Sequence, residues 1–415
     1  MRPLHLIFST YISQCIRFHI LRIHLRVLLL RGALNEIIIE TVPVALLFFK
    51  AITLVVYVSP KGKSTEPKTG VLSGFSISPN RTDAVIVAFA ELVERTVVSS
   101  PWDQSRLFSA SVVECQVKKQ GTLFSLPKIP EYYSKELSNS VWTWLLMNGH
   151  GNIKTQRLLV PAQLLFLNLS GWKGEDSIVP TSSIGTAVHT SADHAKLSAI
   201  LELIERDAFM NTWYSNISPA QVREETLPLE LKKIINYLAL HNVKVFVLDV
   251  THEVPIPTFC AVTVDERSHR VQIGAATGAD IEASIRKVLY EALRTVLPSD
   301  YLEPLERTEA WPRTVKERMQ YWMLPERSEQ LSGFTGGVKE SYTYFQKKYE
   351  GIVVSEVLNS TGVRFFTADI STKQSLKYGL TTYRAFSPDL IPMVQDERWI
   401  DYYLQPKRQV PHPFV

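Results

Sequence analysis

The chain has 415 residues, 45% hydrophobic and 21% charged, with 18 Gly and 23 Pro, an ordinary globular composition that excludes a disordered, collagen-like or low-complexity chain. Its net charge of +4 is too small for a nucleic-acid-binding surface, so no nucleic-acid partner is expected. The three cysteines, Cys15, Cys115 and Cys260, lie far apart with no CxxC pair, which argues against a disulfide framework or Cys-rich zinc site and points to the cytoplasm.

Residues 1–60 carry Arg2, Arg17, Arg22, Arg26, Arg31 and Lys50 against Glu36 and Glu40, so this basic, apolar segment holds the whole net charge and the rest of the chain is neutral. Within it, 22–27 alternates like a strand. The run 41–58, TVPVALLFFKAITLVVYV, is nearly as long as the ~20 apolar residues that cross a bilayer. Lys50 in its middle opposes insertion by ~3 kcal/mol. The run also starts too late for a secretory signal, and no small-residue cleavage site follows it. Membrane association through 41–58 stays open beside a docking subdomain or a segment that does not fold by itself. The polar, breaker-rich stretch 60–67 separates this segment from a body at 61–415.

In the body, apolar residues at helical spacing predict a helix over 82–98, after a turn at Ser78 and Asn80. A breaker-rich stretch, 161–183, leads to a second helix over 192–213. Helix 228–241, strand 243–249, a turn through Pro255 and Pro257, and strand 258–264 follow. Gly274 and Gly278 precede a third long helix, 280–297. Helix 340–349 and strands 363–369 and 381–386 complete the pattern, which is α/β or mixed α+β.

The long helices share a motif. The first carries Glu91 and Glu94 before Arg95, the second Glu202 and Glu205 before Arg206, and the third Glu291. Glu at i and i+3 projects from one helix face. Taken alone, ELxER is most simply a solvated surface pairing. Here, however, the carboxylates interrupt small or apolar stripes, with Val87 and Ala84 before Glu91, and Ser198 and Ala195 before Glu202. Carboxylates under cover need cations. Mg2+, which prefers a few carboxylates plus water and phosphate oxygens, suits them, and Arg206 suits a forked phosphate contact. No Walker loop or kinase motif occurs, so an ATP site would have to be built from helix faces.

These residues resemble the YcaO-domain family, and within it the azoline-forming cyclodehydratases that modify ribosomal peptides. The resemblance spans about 65–415 and rests on SIGTA (183–187), SAILELIERDAFMNTWY (198–214), the glycine-led stretches 74–97 and 274–293, YRAFSPDLIPM (383–393) and the tail PHPFV. It implies a YcaO-like fold, with sheets packed by long helices that carry the ExxE(R) motifs, and ATP and Mg2+ as cofactors. The implied metal ligands are Glu91, Glu94, Glu202, Glu205 and Glu291, with Ser198, Arg206 and Arg384 at the nucleotide. Arg206 and the tail, through Pro411, Pro413 and Val415, are the implied catalytic elements. For Arg384, a structural role is equally open. The implied reaction is ATP-driven cyclodehydration of Cys, Ser or Thr in a precursor peptide of a bacteriocin-type pathway. The implied partners are that peptide, a separate leader-binding E1-like protein, a flavin dehydrogenase and a second copy of the chain.

The chain departs from the family pattern at Val87, Phe75, Ile184 and Arg294, where Ser, Lys, Asn and Gln are usual, and the tail ends in Val where Pro is usual. Two other readings stay open: thioamidation with the same ATP chemistry, and a non-catalytic scaffold. Arg294 could supply the charge that Phe75 lacks. Cys115 and Cys260 read as small buried hydrophobes. His189 and His194, at i and i+5, would not share a helix face. The glycine-rich stretch 333–337 reads as a plain turn.

Overall fold

The computed structural model describes residues 36–40, 50–58, 70–78, 80–99, 106–118, 121–123, 141–167, 182–296 and 311–414. The stretches 22–27 and 60–67 and most of 161–183 lie outside them. The chain divides into two compact units, the first drawn from Met1–Thr96 and Lys373–Leu380, the second from Val97–Thr372 and Thr381–Val415.

In the first unit, strands β1 (Glu36–Glu40), β2 (Lys50–Val58) and β3 (Gly70–Ser78) form an antiparallel sheet in that order. The second half of the apolar run is therefore a strand, and Lys50 opens it opposite Ser78. Ile52, Thr53, Val55, Val56, Tyr57 and Val58 explain why, since β-branched and aromatic side chains suit a pleated surface. Residues 41–49 lie outside the described set. Among the described residues no helix is long and apolar enough to cross a membrane. Helix α1 (Arg81–Val98) follows β3. The two pack so tightly that a Cβ added to Gly74 would lie 1.9 Å from the Ala88 carbonyl oxygen.

The second unit is built on two sheets. One has seven strands: β4 (Leu107–Ser111), β5 (Thr122–Leu123), β6 (Val141–Gly149), β7 (Arg157–Pro161), β8 (Thr186–His189), β14 (Phe366–Asp369) and β15 (Thr381–Phe386). Its order is β5-β7-β6-β14-β15-β8, with β4 also paired to β6. The other runs β12-β11-β10-β9-β13, from β9 (Ala220–Val222), β10 (Val243–Asp249), β11 (Thr258–Asp265), β12 (Val271–Thr277) and β13 (Lys339–Glu340). Helices α2 (Ala192–Tyr214), α3 (Leu229–Leu240) and α4 (Ile281–Ala292) pack on them, giving the expected mixed α+β class.

Helix α2 is the centre of this unit. Ala199, Ile200 and Ile204 pack with Ala385 of β15 and Ala187 of β8. Phe209, Met210 and Trp213 pack with Cys260 of β11 and with Ile273 and Ala275 of β12. A helix covered by two sheets holds its charged groups away from bulk water, so each must find a partner. Helix α4 begins where the Asp280 side chain accepts a bond from the Ala283 N–H at 2.9 Å, a standard N-cap. It ends at Ala292 and tightens into a 3-10 turn, Leu293–Val296, short of the expected 297. Strands β10 and β15 match the expected 243–249 and 381–386. The sequence reading passed over β3, β6 and β12; β6 (VWTWLLMNG) lacks apolar–polar alternation, and the glycines of β3 and β12 resemble turns.

Candidate functional site

Three glutamates are seated by one repeated device. In the first unit, Glu91 Oε2 accepts a hydrogen bond from the Phe75 N–H of β3 at 2.7 Å. In the second unit, Glu202 Oε2 accepts from the Gly185 N–H, just before β8, at 3.0 Å. Glu291 Oε2 accepts from the Ala275 N–H of β12 at 3.2 Å. The donors lie 16, 17 and 16 residues before their glutamates. A glycine, Gly74, Gly185 or Gly274, stands at or next to each donor and lets the strand approach the helix. An added Cβ would come within 2.6 Å of Glu291 Cβ at Gly274, and within 2.7 Å of Leu203 Cδ2 at Gly185, where φ is +82°. These charge-assisted bonds each fix one oxygen of a carboxylate. The Gly-to-Glu spacing is the sequence signal that the ExxE reading left unused.

In the second unit the acidic groups form a line linked by two cations. Arg206 Nη2 lies 3.8 Å from Glu202 and 3.5 Å from Glu205. Lys287 Nζ lies 3.4 Å from Glu205 and 4.0 Å from Glu291. Glu205 is buried, only 3% exposed. Burial raises the Glu202 pKa against the nearby Arg206 charge. Burial likewise raises the Glu291 pKa, with Lys287 opposing it, Glu205 adding to it, and Arg206 and Arg294 opposing it. Glu205 and Glu291 hold Lys287 firmly protonated. Lys287, one helical turn before Glu291 on α4, was missed in the sequence; its pairing with Glu205 spans 82 residues.

Arg206 is also covered by the C-terminal tail. Its guanidinium carbon lies 3.9 Å from the Phe414 ring centroid, and Phe414 packs edge-on against Phe209. The tail is pinned from behind. Trp213 Nε1 donates to the Val410 carbonyl at 2.9 Å. The His412 Nε2–H donates to the Val394 carbonyl at 2.9 Å, and burial keeps this imidazole neutral. Arg318 Nη1 donates to the His412 carbonyl at 2.8 Å and to Glu397, which also accepts from the Tyr214 hydroxyl. The Arg318 and Glu397 side chains are both fully buried.

The structure brings together Glu202, Glu205, Arg206 and Glu291, with the tail through Phe414. Pro411 and Pro413 are buried, and Val415 lies outside the described residues. Ser198 is exposed, one turn before Glu202 on the same face. Glu91 and half-buried Glu94 belong to the first unit, where Arg95 pairs with Glu91 at 2.6 Å. Arg384 is buried and donates to Thr186 Oγ1 at 2.6 Å, the Ser182 carbonyl at 2.9 Å and the Leu164 carbonyl at 3.2 Å. Of the departures, Val87 and Arg294 are exposed and Ile184 packs on the core. Phe75 engages Glu91 through its backbone, which any residue but proline could do.

Among the described residues no three His, Cys, Asp or Glu side chains form a group able to hold a metal ion alone. His189 and His194 do meet, with ring centroids 4.7 Å apart, contrary to the helical argument, because His189 ends β8 and only His194 is on α2. Cys115 and Cys260 are buried and free, and burial pushes the Cys260 thiol well above its usual range. In the glycine-rich stretch, Ser332–Thr335 is one helical turn and Gly337 packs against Pro219.

A family model described as YcaO cyclodehydratase, ATP- and Mg2+-binding, matches residues 122–391, more than half of the chain. No curated protein sequence matched. Among solved structures, a YcaO from Methanopyrus kandleri bound with AMPPCP and Mg2+ superposes with a TM-score of 0.64 at 17% identity, covering 95% of this chain and 96% of that one. A heterocyclase in complex with substrate and cofactor gives 0.67 at 14% identity, covering 92% of this chain and 55% of that one. This chain therefore spans about half the length of that heterocyclase. The E. coli microcin synthetase complex McbBCD gives 0.55 at 12% identity, covering 85% and 88%. At these identities the likeness is one of fold.

Proposed function

The chain belongs to the YcaO cyclodehydratase family, and from that premise we propose that it is an ATP- and Mg2+-dependent peptide cyclodehydratase. It converts Cys, Ser or Thr of a ribosomal precursor peptide to thiazoline or oxazoline in a bacteriocin-type pathway. The observation that carries this reading is the meeting of Glu202, Glu205 and Glu291 with Arg206, whose Nε is buried without a protein partner. A guanidinium with one buried N–H unpartnered, beside a row of carboxylates, fits a phosphate bridged to the protein by a hard cation.

In this reading, the substrate side chain attacks the preceding backbone carbonyl. ATP, when bound, supplies the γ-phosphoryl group that the resulting oxyanion takes before it leaves as phosphate. In the second unit, Glu202, Glu205 and Glu291 are the groups that would hold Mg2+. Arg206 neutralises phosphate charge, and Phe414 fixes its plane. Ser198 would meet the nucleotide from the exposed face of α2. Lys287 holds Glu205 and Glu291 in place before the cation arrives. The catalysis asked of the protein is positioning and charge neutralisation. Delivery of the peptide falls to a separate leader-binding E1-like protein, a flavin dehydrogenase acts on the azoline, and the chain pairs with a second copy. The microcin synthetase relative is itself a multi-protein complex, which supports a partnered enzyme.

The test is peptide-dependent ATP hydrolysis together with product mass. The parent should hydrolyse ATP and remove one water per ring, and Glu205→Gln should slow both about 100-fold. Undiminished hydrolysis by Glu205→Gln overturns the reading. A product in which sulfur replaces oxygen assigns thioamidation instead.

A further inference from the structure

A concavity lies in the second unit, on residues that the carboxylate site does not use. It encloses about 340 Å³. Its floor is one face of the seven-stranded sheet: Asn148 of β6 pairs with Thr367 of β14, and Asp369 of β14 pairs with Tyr383 of β15. Arg106, His150, Lys154 and Lys196 form its walls. Lys196 is six residues before Glu202 on α2, about 9 Å along the helix axis and turned roughly 120° from it. The cavity therefore opens on a different side of the helix from the carboxylates.

Charge distinguishes this cavity. Among its lining residues Arg106, Lys154 and Lys196 stand against Asp369, and Asp193, outside the lining, pairs with Lys196. Asp369 is already engaged on both oxygens: Oδ2 accepts from Arg106 at 3.2 Å and Oδ1 from the Ser371 N–H at 2.9 Å. The Asp369 carbonyl also accepts from Arg106 Nη1 at 2.9 Å, so the guanidinium is fixed in place. Lys196 is held over the Tyr383 ring, 5.1 Å from its centroid, and makes one exposed ion pair with Asp193. Among the described residues Lys154 makes no ion pair. Burial, and then the Lys196 charge, lower the His150 pKa, with Asp193 opposing them.

We propose that this cavity is an anion-binding site for a phosphoryl group. Three basic side chains in its lining suit phosphate oxygens, and the volume is at the small end of ligand pockets, enough for phosphate or a small phosphomonoester. Arg106, held by Asp369, presents a planar fork, the geometry suited to phosphate oxygens, while Lys154 and Lys196 act as point charges. Asn148 and Thr367 add neutral donors on the floor. The assignment is independent of the proposed cyclodehydration, because it shares no residue with that site.

The experiment is calorimetric titration of the full chain with inorganic phosphate, at an ionic strength fixed with chloride. Arg206→Leu is used as background, to remove phosphate contact at the carboxylate site. One phosphate should bind per chain. Lys154→Met/Lys196→Met should weaken it at least tenfold, and Lys154→Arg/Lys196→Arg should restore it with the same melting temperature. Phosphoserine competing as well as phosphate assigns a monoester ligand, and phosphate binding without such competition assigns free phosphate. Absence of saturable binding in the Arg206→Leu background, or equal binding by the double Met variant, overturns the proposal.

Discussion

The Arg206 guanidinium carbon lies 3.9 Å from the Phe414 ring centroid, so the last described residue of the tail rests on the one arginine that bridges Glu202 and Glu205. A cation over an aromatic face gains about 0.5–2 kcal/mol, more when water is excluded. The same contact limits the guanidinium to one plane. Phe414→Ala should therefore raise the KM for ATP and slow peptide-dependent hydrolysis about tenfold, with a melting temperature within a few degrees of the parent. Phe414→Trp should recover most of the activity, since indole offers the better cation-binding face. Equal kinetics for Phe414→Ala and the parent would remove the tail from the site.

Gly274 carries a prediction about packing. Its missing side chain is what lets Glu291 sit against β12; a Cβ there would lie 2.6 Å from Glu291 Cβ and 2.7 Å from Glu291 Oε2. Gly274→Ala must push Glu291 off the Ala275 N–H, and urea denaturation should show a loss of about 1–3 kcal/mol. Gly185→Ala should cost more, because φ of +82° adds roughly 1–2 kcal/mol of backbone strain to the clash with Leu203.

These glycines also show what could be read in advance. Helix α2 and strands β10 and β15 are visible from local pattern, because apolar spacing and turn residues are local facts. The ExxE repeat is visible for the same reason. The order of the strands is not, since β8 must find β15 almost 200 residues later, at pairings such as Thr186 with Arg384. Lys287 is invisible as a site residue because its meaning comes from Glu205 on another helix. Arg384 shows the reverse case. Its place in a recognisable motif left a phosphate contact and a structural role equally open, and its bonds to Thr186, Ser182 and Leu164 depend on strands and turns far apart in the chain.

The buried Arg318–Glu397 pair anchors the tail through the His412 carbonyl and N–H. Breaking one side leaves an uncompensated buried charge, so Arg318→Leu should destabilise the protein by about 3–5 kcal/mol. Arg318→Leu/Glu397→Leu should recover part of that stability but not the tail, since the bonds to His412 are gone. Limited proteolysis near Arg408 checks this. The double variant should be cut faster than the parent at matched stability, and equal protection would separate the pair from the tail.

Lys287 tests whether a cation belongs between the helices. Its ammonium is 3.4 Å from Glu205 and 4.0 Å from Glu291. Lys287→Met leaves those carboxylates facing each other with Arg206, and Arg294 at Glu291, to offset them. The melting temperature without divalent ions should fall by several degrees, and Mg2+ should recover more of it in the variant than in the parent. A Mg2+ response identical in both proteins would show that the ion binds elsewhere.

Asp207 makes stability depend on pH in a direction opposite to most carboxylates. Burial raises its pKa from 3.8 to about 7; the Ile391 N–H bond opposes this, the Glu253 charge adds to it, and Asn211 opposes it. A folded-state pKa above the unfolded value means that its contribution is fully present below about pH 4 and is lost as pH rises through 7. The carboxyl is tied to the turn after β15, where Oδ1 accepts from the Ile391 N–H at 2.7 Å. Asp207→Asn keeps an oxygen for that bond and cannot ionise. The unfolding free energy of Asp207→Asn minus that of the parent should climb between about pH 4 and 7 and level off above it, by about 4 kcal/mol at most. Denaturant titrations at fixed ionic strength across that range decide the matter. A difference that stays constant with pH would mean that Asp207 is ionised throughout, and that the Ile391 and Asn211 bonds outweigh its burial.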